Sequence, residues 1–267
     1  MPSFFYWIDR VEKSTDIVRE LVMITINCRK VKFQNIKAII FDKDGTLQNS
    51  QQFLYNLARE RARAIDAEIP GTDRILLKTF GVLNNKIDPT GLMAVGSHQE
   101  NAIAAAAYIA KKGHSWFEAK SIAISAFKQA EQSLKDRSEM SPIFNGTWET
   151  LQYLSKSGLK LGILSADSTT GVKSFVEHNC LSQYIQLTMG VDGQLSKPNP
   201  LLFIKACQAL SVEPKSTIMV GDSQGDIEMA RNAGAGGVVG ICWHNSQAPH
   251  LATADVAISR LDEIRIL

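Results

Sequence analysis

Short runs of mostly apolar residues recur along the chain, separated by stretches in which apolar positions return every three or four residues. The runs are Lys37–Phe41, Leu159–Ser165, Thr217–Gly221, Gly237–Ile241 and Asp255–Ile258. They are too short for helices and end in polar or glycine-containing clusters, which predicts strands buried in a parallel sheet. Helical spacing covers Thr147–Ser157, Thr170–Asn179, Pro200–Leu210 and Gly225–Ala233 between them. Strand and helix in alternation imply right-handed βαβ units, so the expected class is α/β with a sheet covered on both faces.

The middle of the chain breaks this rhythm. From about Gln52 to Met140 the period is helical, with hardly any strand signal. Phe53, Leu57, Arg61 and Ile65 mark one helix, closed by Pro70-Gly71, and Ile75–Phe80 marks another. Gln99–Lys111 and Trp116–Leu134 follow, separated by Gly113. A helical insert behind the first core strand reads as a second, smaller domain: residues 52–140 against a core of 23–51 and 141–267. Ahead of that strand, Met23–Asn27 and Lys30–Phe33 alternate around Cys28-Arg29, as a short hairpin does. Residues 1–22 read as an amphipathic N-terminal extension, with Met23 an alternative start.

Composition narrows the function classes. With 45% hydrophobic and 21% charged residues in 267, global disorder is excluded and there is chain enough for a proper core. The net charge of +2 leaves no electrostatic footprint for nucleic acid or an anionic membrane. No apolar run approaches the roughly 18–20 residues of a membrane span. The first ten residues lack a basic leader followed by an apolar block, so secretion is not expected. Cys28, Cys180, Cys207 and Cys242 lie far apart, which argues against a metal cluster or disulfide framework and for a reducing cytoplasm. His98, His114, His178, His244 and His250 show no metal-ligand spacing.

The chemistry concentrates at strand ends. Phe41-Asp42-Lys43-Asp44-Gly45-Thr46-Leu47 puts two acids just beyond the first core strand, at the edge where open α/β sheets bind ligands, and Gly45 permits a sharp turn. A solvated Asx turn is the plain alternative. Ser165 closes a second strand, followed by Ala166 and Asp167. Lys197 precedes a helix begun by Pro200, and Val220-Gly221-Asp222-Ser223-Gln224-Gly225-Asp226 ends another strand with two more acids. Singly, these are ordinary: Ser165 a helix cap, Lys197 a surface lysine, Asp222 and Asp226 a capping pair.

In this order, however, they resemble the four signature motifs of the haloacid dehalogenase-like superfamily, over Lys37 to about Ile264. The resemblance implies a doubly wound, mostly parallel core, with the helical insert as a C1-type cap. It implies a phosphatase in which Asp42 is the nucleophile and forms an aspartyl-phosphate. Asp44 would protonate the leaving group and later activate water. Mg²⁺ would be held by the Asp42 side chain, the Asp44 carbonyl and the Asp222 side chain, with Asp226 supporting that shell or joining it. Ser165 and the amide of Ala166 would bind phosphoryl oxygens, Lys197 would balance charge, and Thr46 would steady the turn. The substrate would be a small phosphorylated metabolite, phosphoglycolate being the family's obvious candidate for this cap.

The chain departs from the usual pattern at two places. Asn49 stands where many relatives carry a second Asp after the first motif, and Ala166-Asp167 replace a common Asn after Ser165. Asp167 is expected to add negative charge beside the anion site, weakening phosphate binding or selecting a cationic substrate group. A sugar phosphomutase and a catalytically silent ligand-binding relative are the alternatives. Asp44 argues against a dehalogenase, and no cap lysine stands out for phosphonate hydrolysis. Specificity is expected from Gly91–Gln99, read as a loop that interrupts the cap helices and brings Ser97, His98 and Gln99 toward the site. Trp243-His244-Asn245 is either a rim element or a packing loop.

Overall fold

The computed structural model describes residues 24–134, 141–193, 195–243 and 248–267. The expectations for residues 1–22, and for His244 and Asn245, lie outside them. Three strands open the architecture: β1 (Ile24–Cys28), β2 (Val31–Ile36) and β3 (Ala38–Phe41). The core resumes with helix α6 (Thr147–Ser155), strand β6 (Lys160–Leu164), helix α7 (Thr169–His178) and strand β7 (Leu187–Met189). Helix α8 (Pro200–Ala209), β8 (Thr217–Gly221), α9 (Gln224–Asn232), β9 (Gly237–Ile241), β10 (Val256–Ile258) and β11 (Ile264–Ile266) complete it.

Six strands form one parallel sheet in the order β10-β9-β8-β3-β6-β7, with the chain leaving β3 in both directions. The strand period explains why every residue of β3 is buried. Ile39 and Phe41 pack with Leu151 and Leu154 of α6 and Val172 and Phe175 of α7. Ala38 and Ile40 pack on the opposite face with Phe203 and Ala206 of α8 and Ile227 and Ala230 of α9. The sheet is therefore doubly wound, as the resemblance implies.

Between β3 and α6 the chain builds α1 (Gln51–Glu68), α2 (Asp73–Thr79), α3 (Leu92–Val95), α4 (His98–Lys111) and α5 (Trp116–Ser133). Their buried side chains form a cluster of their own, from Phe53 to Ala130. Ala102, Ala105 and Ala106 of α4 and Ala119, Ala123 and Ala126 of α5 lie in this cluster, and such small residues let helices approach closely. Among the described residues no helix is long and apolar enough to cross a membrane.

Several boundaries differ from the expectation. The insert contains a small hairpin, β4 (Val82–Leu83) with β5 (Lys86–Ile87), where hardly any strand was expected. Its turn residues Asn84 and Asn85 both take positive φ, the two-residue turn that matches strand twist. The N-terminal hairpin turns at Arg29 and Lys30, one residue later than read, because Cys28 is a fully buried strand residue and Arg29 takes the positive φ. Three-residue strands β7 and β11 lacked a run long enough to show.

Candidate active site

Strand register assembles the site. Phe41 lies opposite Ile163 of β6 on one side and Val220 of β8 on the other. Asp42, Ser165 and Asp222 therefore leave three adjacent strands at nearly one level, on the carboxyl edge of the sheet. The loop after Asp42 is fixed by Gly45 N–H to the Gln48 carbonyl and Leu47 N–H to the Lys43 carbonyl, both 2.9 Å. Gly45 has φ +79, and a Cβ there would lie 1.9 Å from Asp222 Oδ2. Only glycine lets the acids of the two motifs approach this closely. Gly45→Ala should remove most activity while the helical content by circular dichroism stays near wild type; unchanged turnover would refute the close packing.

The loop is also anchored from outside. Trp243 donates its indole N–H to the Thr46 carbonyl at 3.2 Å and stacks on Phe144 with centroids 4.1 Å apart. Trp243 thus acts as a packing residue, and Thr46, fully buried, belongs to the structural frame of the turn.

Lys197 joins two motifs. Its ammonium lies 2.6 Å from Asp42 Oδ1 and 2.6 Å from Asp226 Oδ1. Asn199 caps α8 by accepting from Leu201 N–H, and Pro200 begins the helix, which fixes the backbone just behind Lys197. Asp226 does two jobs, since it also closes a capping box with Ser223 at the start of α9. The carboxylates of Asp42, Asp222 and Asp226 offer oxygens within 4.8 Å of one another. Burial first, and then the neighbouring acids, push Asp42 up to about 7 although Lys197 opposes them. Asp222 is raised well above its usual range, by burial and then by Asp42 and Asp226. One ammonium does not balance three carboxylates, two of them buried and the third, Asp222, half-buried. A hard divalent cation with oxygen ligands fits this donor set and supplies the missing charge.

Asp44 points elsewhere. Its carboxylate accepts from Gln48 at 2.7 Å and pairs with Lys43 at 2.6 Å. Burial acts to raise it, but Lys43, with hydrogen bonds from Gln48 and Ser50, outweighs burial and holds the carboxyl below its usual range. Lys43 also pairs with Asp167 at 3.2 Å and is itself buried. Asp167 lines the site cavity beside Ser165 and Ala166, as its place in the sequence suggested, and Lys43, which it shares with Asp44, offsets only part of the negative charge there. Sequence reading passed over Lys43 as the unspecified residue between two acids. A lysine inside a buried strand-end motif was the available signal, because such a charge is seldom buried without partners.

Ser165 is buried at the end of β6, where its hydroxyl accepts from Asp167 N–H at 3.2 Å. It caps no helix; Ser168 caps α7. Ser165, Ala166, Asp42, Asp44, Lys197 and Asp222 all line a cavity of about 1140 Å³ that runs from the sheet edge to the helical insert. The insert contributes Ser97, His98 and Gln99 to the same cavity. They do not lie on a loop, as read from sequence: α3 occupies Leu92–Val95, and Ser97 is the cap of α4. The Ser97 hydroxyl is engaged with Glu100, and His98 Nε2 lies 3.3 Å from Glu131. Gln99 remains exposed on the wall.

A parallel, doubly wound core with acids at its carboxyl edge and a helical insert behind its first strand defines the class of protein. The sequence matches the family of haloacid dehalogenase-like hydrolases over residues 39–239, and the chain belongs to that family. It is 30% identical to pyrophosphatase PpaX of Bacillus mycoides (strain KBAB4), over 78% of this chain and 84% of that protein. It is 27% identical to the phosphoglycolate phosphatase of Salmonella choleraesuis (strain SC-B67), over 76% and 80%. Among solved structures, a predicted phosphoglycolate phosphatase from Haemophilus somnus 129pt shares the fold with a TM-score of 0.62 at 23% identity, covering 85% of this chain and 95% of that one. The β-phosphoglucomutase of Clostridium difficile shares it at 0.58 and 18%, covering 86% and 93%.

Proposed function

We propose that this hydrolase is a Mg²⁺-dependent phosphatase that cleaves a small phosphomonoester through an aspartyl-phosphate on Asp42. The observation that carries the reading is the meeting of Asp42, Asp222, Asp226 and Lys197 at one sheet edge, with a second acid, Asp44, held apart from them. Phosphatase names among the relatives support it. Asp42 attacks phosphorus while Ser165 Oγ–H and the Ala166 amide donate to the equatorial oxygens. Lys197 offsets the charge that accumulates on them. Asp44 gives a proton to the leaving alkoxide, then takes one from the water that hydrolyses the acyl phosphate. Asp42 and Asp222, with the Asp44 carbonyl, would hold Mg²⁺, which supplies positive charge to the transferring group. The helical insert, as a cap, excludes bulk water and contacts the leaving group.

Turnover of p-nitrophenyl phosphate with Mg²⁺ and its loss in EDTA test the reading. Activity that ignores EDTA would remove the metal assignment, and isomerised sugar phosphate without released phosphate would mark a mutase. Asp222→Ala should raise the Mg²⁺ concentration for half-maximal activity by about tenfold or more, because Mg²⁺ takes few protein ligands. An unchanged Mg²⁺ titration would shift that role to Asp226.

A further inference from the structure

The leaving-group end of the cavity has an unusual charge. Arg61 of α1 is buried there, and its guanidinium contacts Glu131 Oε1 at 3.0 Å, Met93 Sδ at 3.6 Å and the Phe127 ring at 4.1 Å from the centroid. His98 approaches the same Glu131 oxygen at 3.3 Å and meets Phe127 edge-on. Both basic groups of this wall therefore meet the same carboxylate. Glu131 is held ionised: the His98 hydrogen bond, opposed by burial and joined by Arg61, brings its carboxyl down to about 2. Glu100, on the same wall, is a further carboxylate, tied to the amide and hydroxyl of Ser97 at 2.7 Å each. Leu54, Leu57, Val95 and Ile103 supply apolar surface around them.

Among the described residues the balance over the cavity has the same sign. Beyond the four acids at the sheet edge, Glu100, Glu131, Asp167 and Asp192 face it. Among the described residues its Lys and Arg side chains are Lys43, Arg61 and Lys197, and each is ion-paired. At the sheet edge a divalent cation, with Lys43 and Lys197, offsets the four acids, so no surplus of positive charge is left there for a phosphoryl dianion. The excess of carboxylates then falls on whatever the phosphoryl group is attached to. A second anion on the substrate would enter an acidic wall whose cations are already engaged, and repulsion of that kind discriminates as strongly as attraction does.

We propose that the cavity selects phosphate monoesters whose leaving group carries no negative charge, an alcohol or an amino alcohol, and rejects substrates with a second anionic group. The proposal rests on the phosphatase reading above and names the substrate class of the same site. It sets this chain apart from what the names of its relatives describe, since glycolate is a carboxylate and pyrophosphate releases phosphate.

The test compares kcat/KM for 2-hydroxyethyl phosphate, O-phosphoethanolamine, 2-phosphoglycolate and inorganic pyrophosphate, with p-nitrophenyl phosphate as control. The first three are close in size and differ in charge. The uncharged and cationic esters should exceed the other two by about tenfold or more. Gln99→Lys, which adds a cation to the exposed wall, should raise phosphoglycolate relative to phosphoethanolamine by a similar factor. Equal or better use of phosphoglycolate or pyrophosphate by the wild type overturns the inference. So does turnover of p-nitrophenyl phosphate with no preference among the four, which leaves the phosphatase reading standing. No turnover of any phosphate ester overturns that reading, and the inference with it.

Discussion

Asp42→Asn should lower turnover of every phosphate ester by about four orders of magnitude or more, because the amide has no lone pair basic enough to attack phosphorus. The substitution keeps size and shape at a buried position, so a large structural effect is not expected. Burial, Asp226 and Asp44 all disfavour the charge on Asp42 and push its carboxyl up, with Lys197 opposing them. Removing that charge relieves repulsion while costing one bond to Lys197, and Lys197 keeps its contact with Asp226. The melting temperature should stay within about 5 °C of wild type, the range of a kcal/mol or so in a chain of this size. Intact-mass measurement excludes deamidation back to Asp. Residual activity above about a hundredth of wild type in undeamidated protein would contradict the nucleophile role.

Much of this was legible in the sequence, for identifiable reasons. The apolar runs announced β3, β6, β8 and β9 because both faces of those strands are buried, which removes the alternation that would blur them. Strand ends then located Asp42, Ser165 and Asp222, since a parallel sheet places all its carboxyl ends on one edge. What could not be read was pairing. Lys43 with Asp167, Lys197 with Asp226 and Arg61 with Glu131 join residues far apart in sequence. Arg61 shows the limit well: its position in the helical period suggested a core residue, and it is indeed buried, yet its charge is held by a glutamate seventy positions on. Asp226 closes the capping box of α9 with the N-cap Ser223, as its ordinary reading expected, and its other oxygen pairs with Lys197, which the sequence did not show.

Asp44→Asn should cut steady-state kcat by about 10²–10⁴, the range of general acid–base catalysis, and should do so unequally across leaving groups. In the free enzyme Lys43 and Gln48 hold Asp44 as a carboxylate, the form that the hydrolysis of the acyl phosphate requires. Under the proposed mechanism, phosphorylation of Asp42 needs the same group protonated, and a phosphoryl dianion arriving beside it would bring the like charge that favours uptake of that proton. Nitrophenolate is stable enough to leave without a proton, whereas an alkoxide is not. With p-nitrophenyl phosphate the variant should therefore release about one equivalent of nitrophenolate per site in a burst, then stall as a phosphoenzyme for want of a base. With an alkyl phosphate it should show no burst, because its first step already lacks the acid. Rapid-quench measurement of both substrates separates the two halves of the role. A burst with the alkyl ester would remove Asp44 as the general acid. Undiminished steady-state turnover of p-nitrophenyl phosphate would remove it as the base.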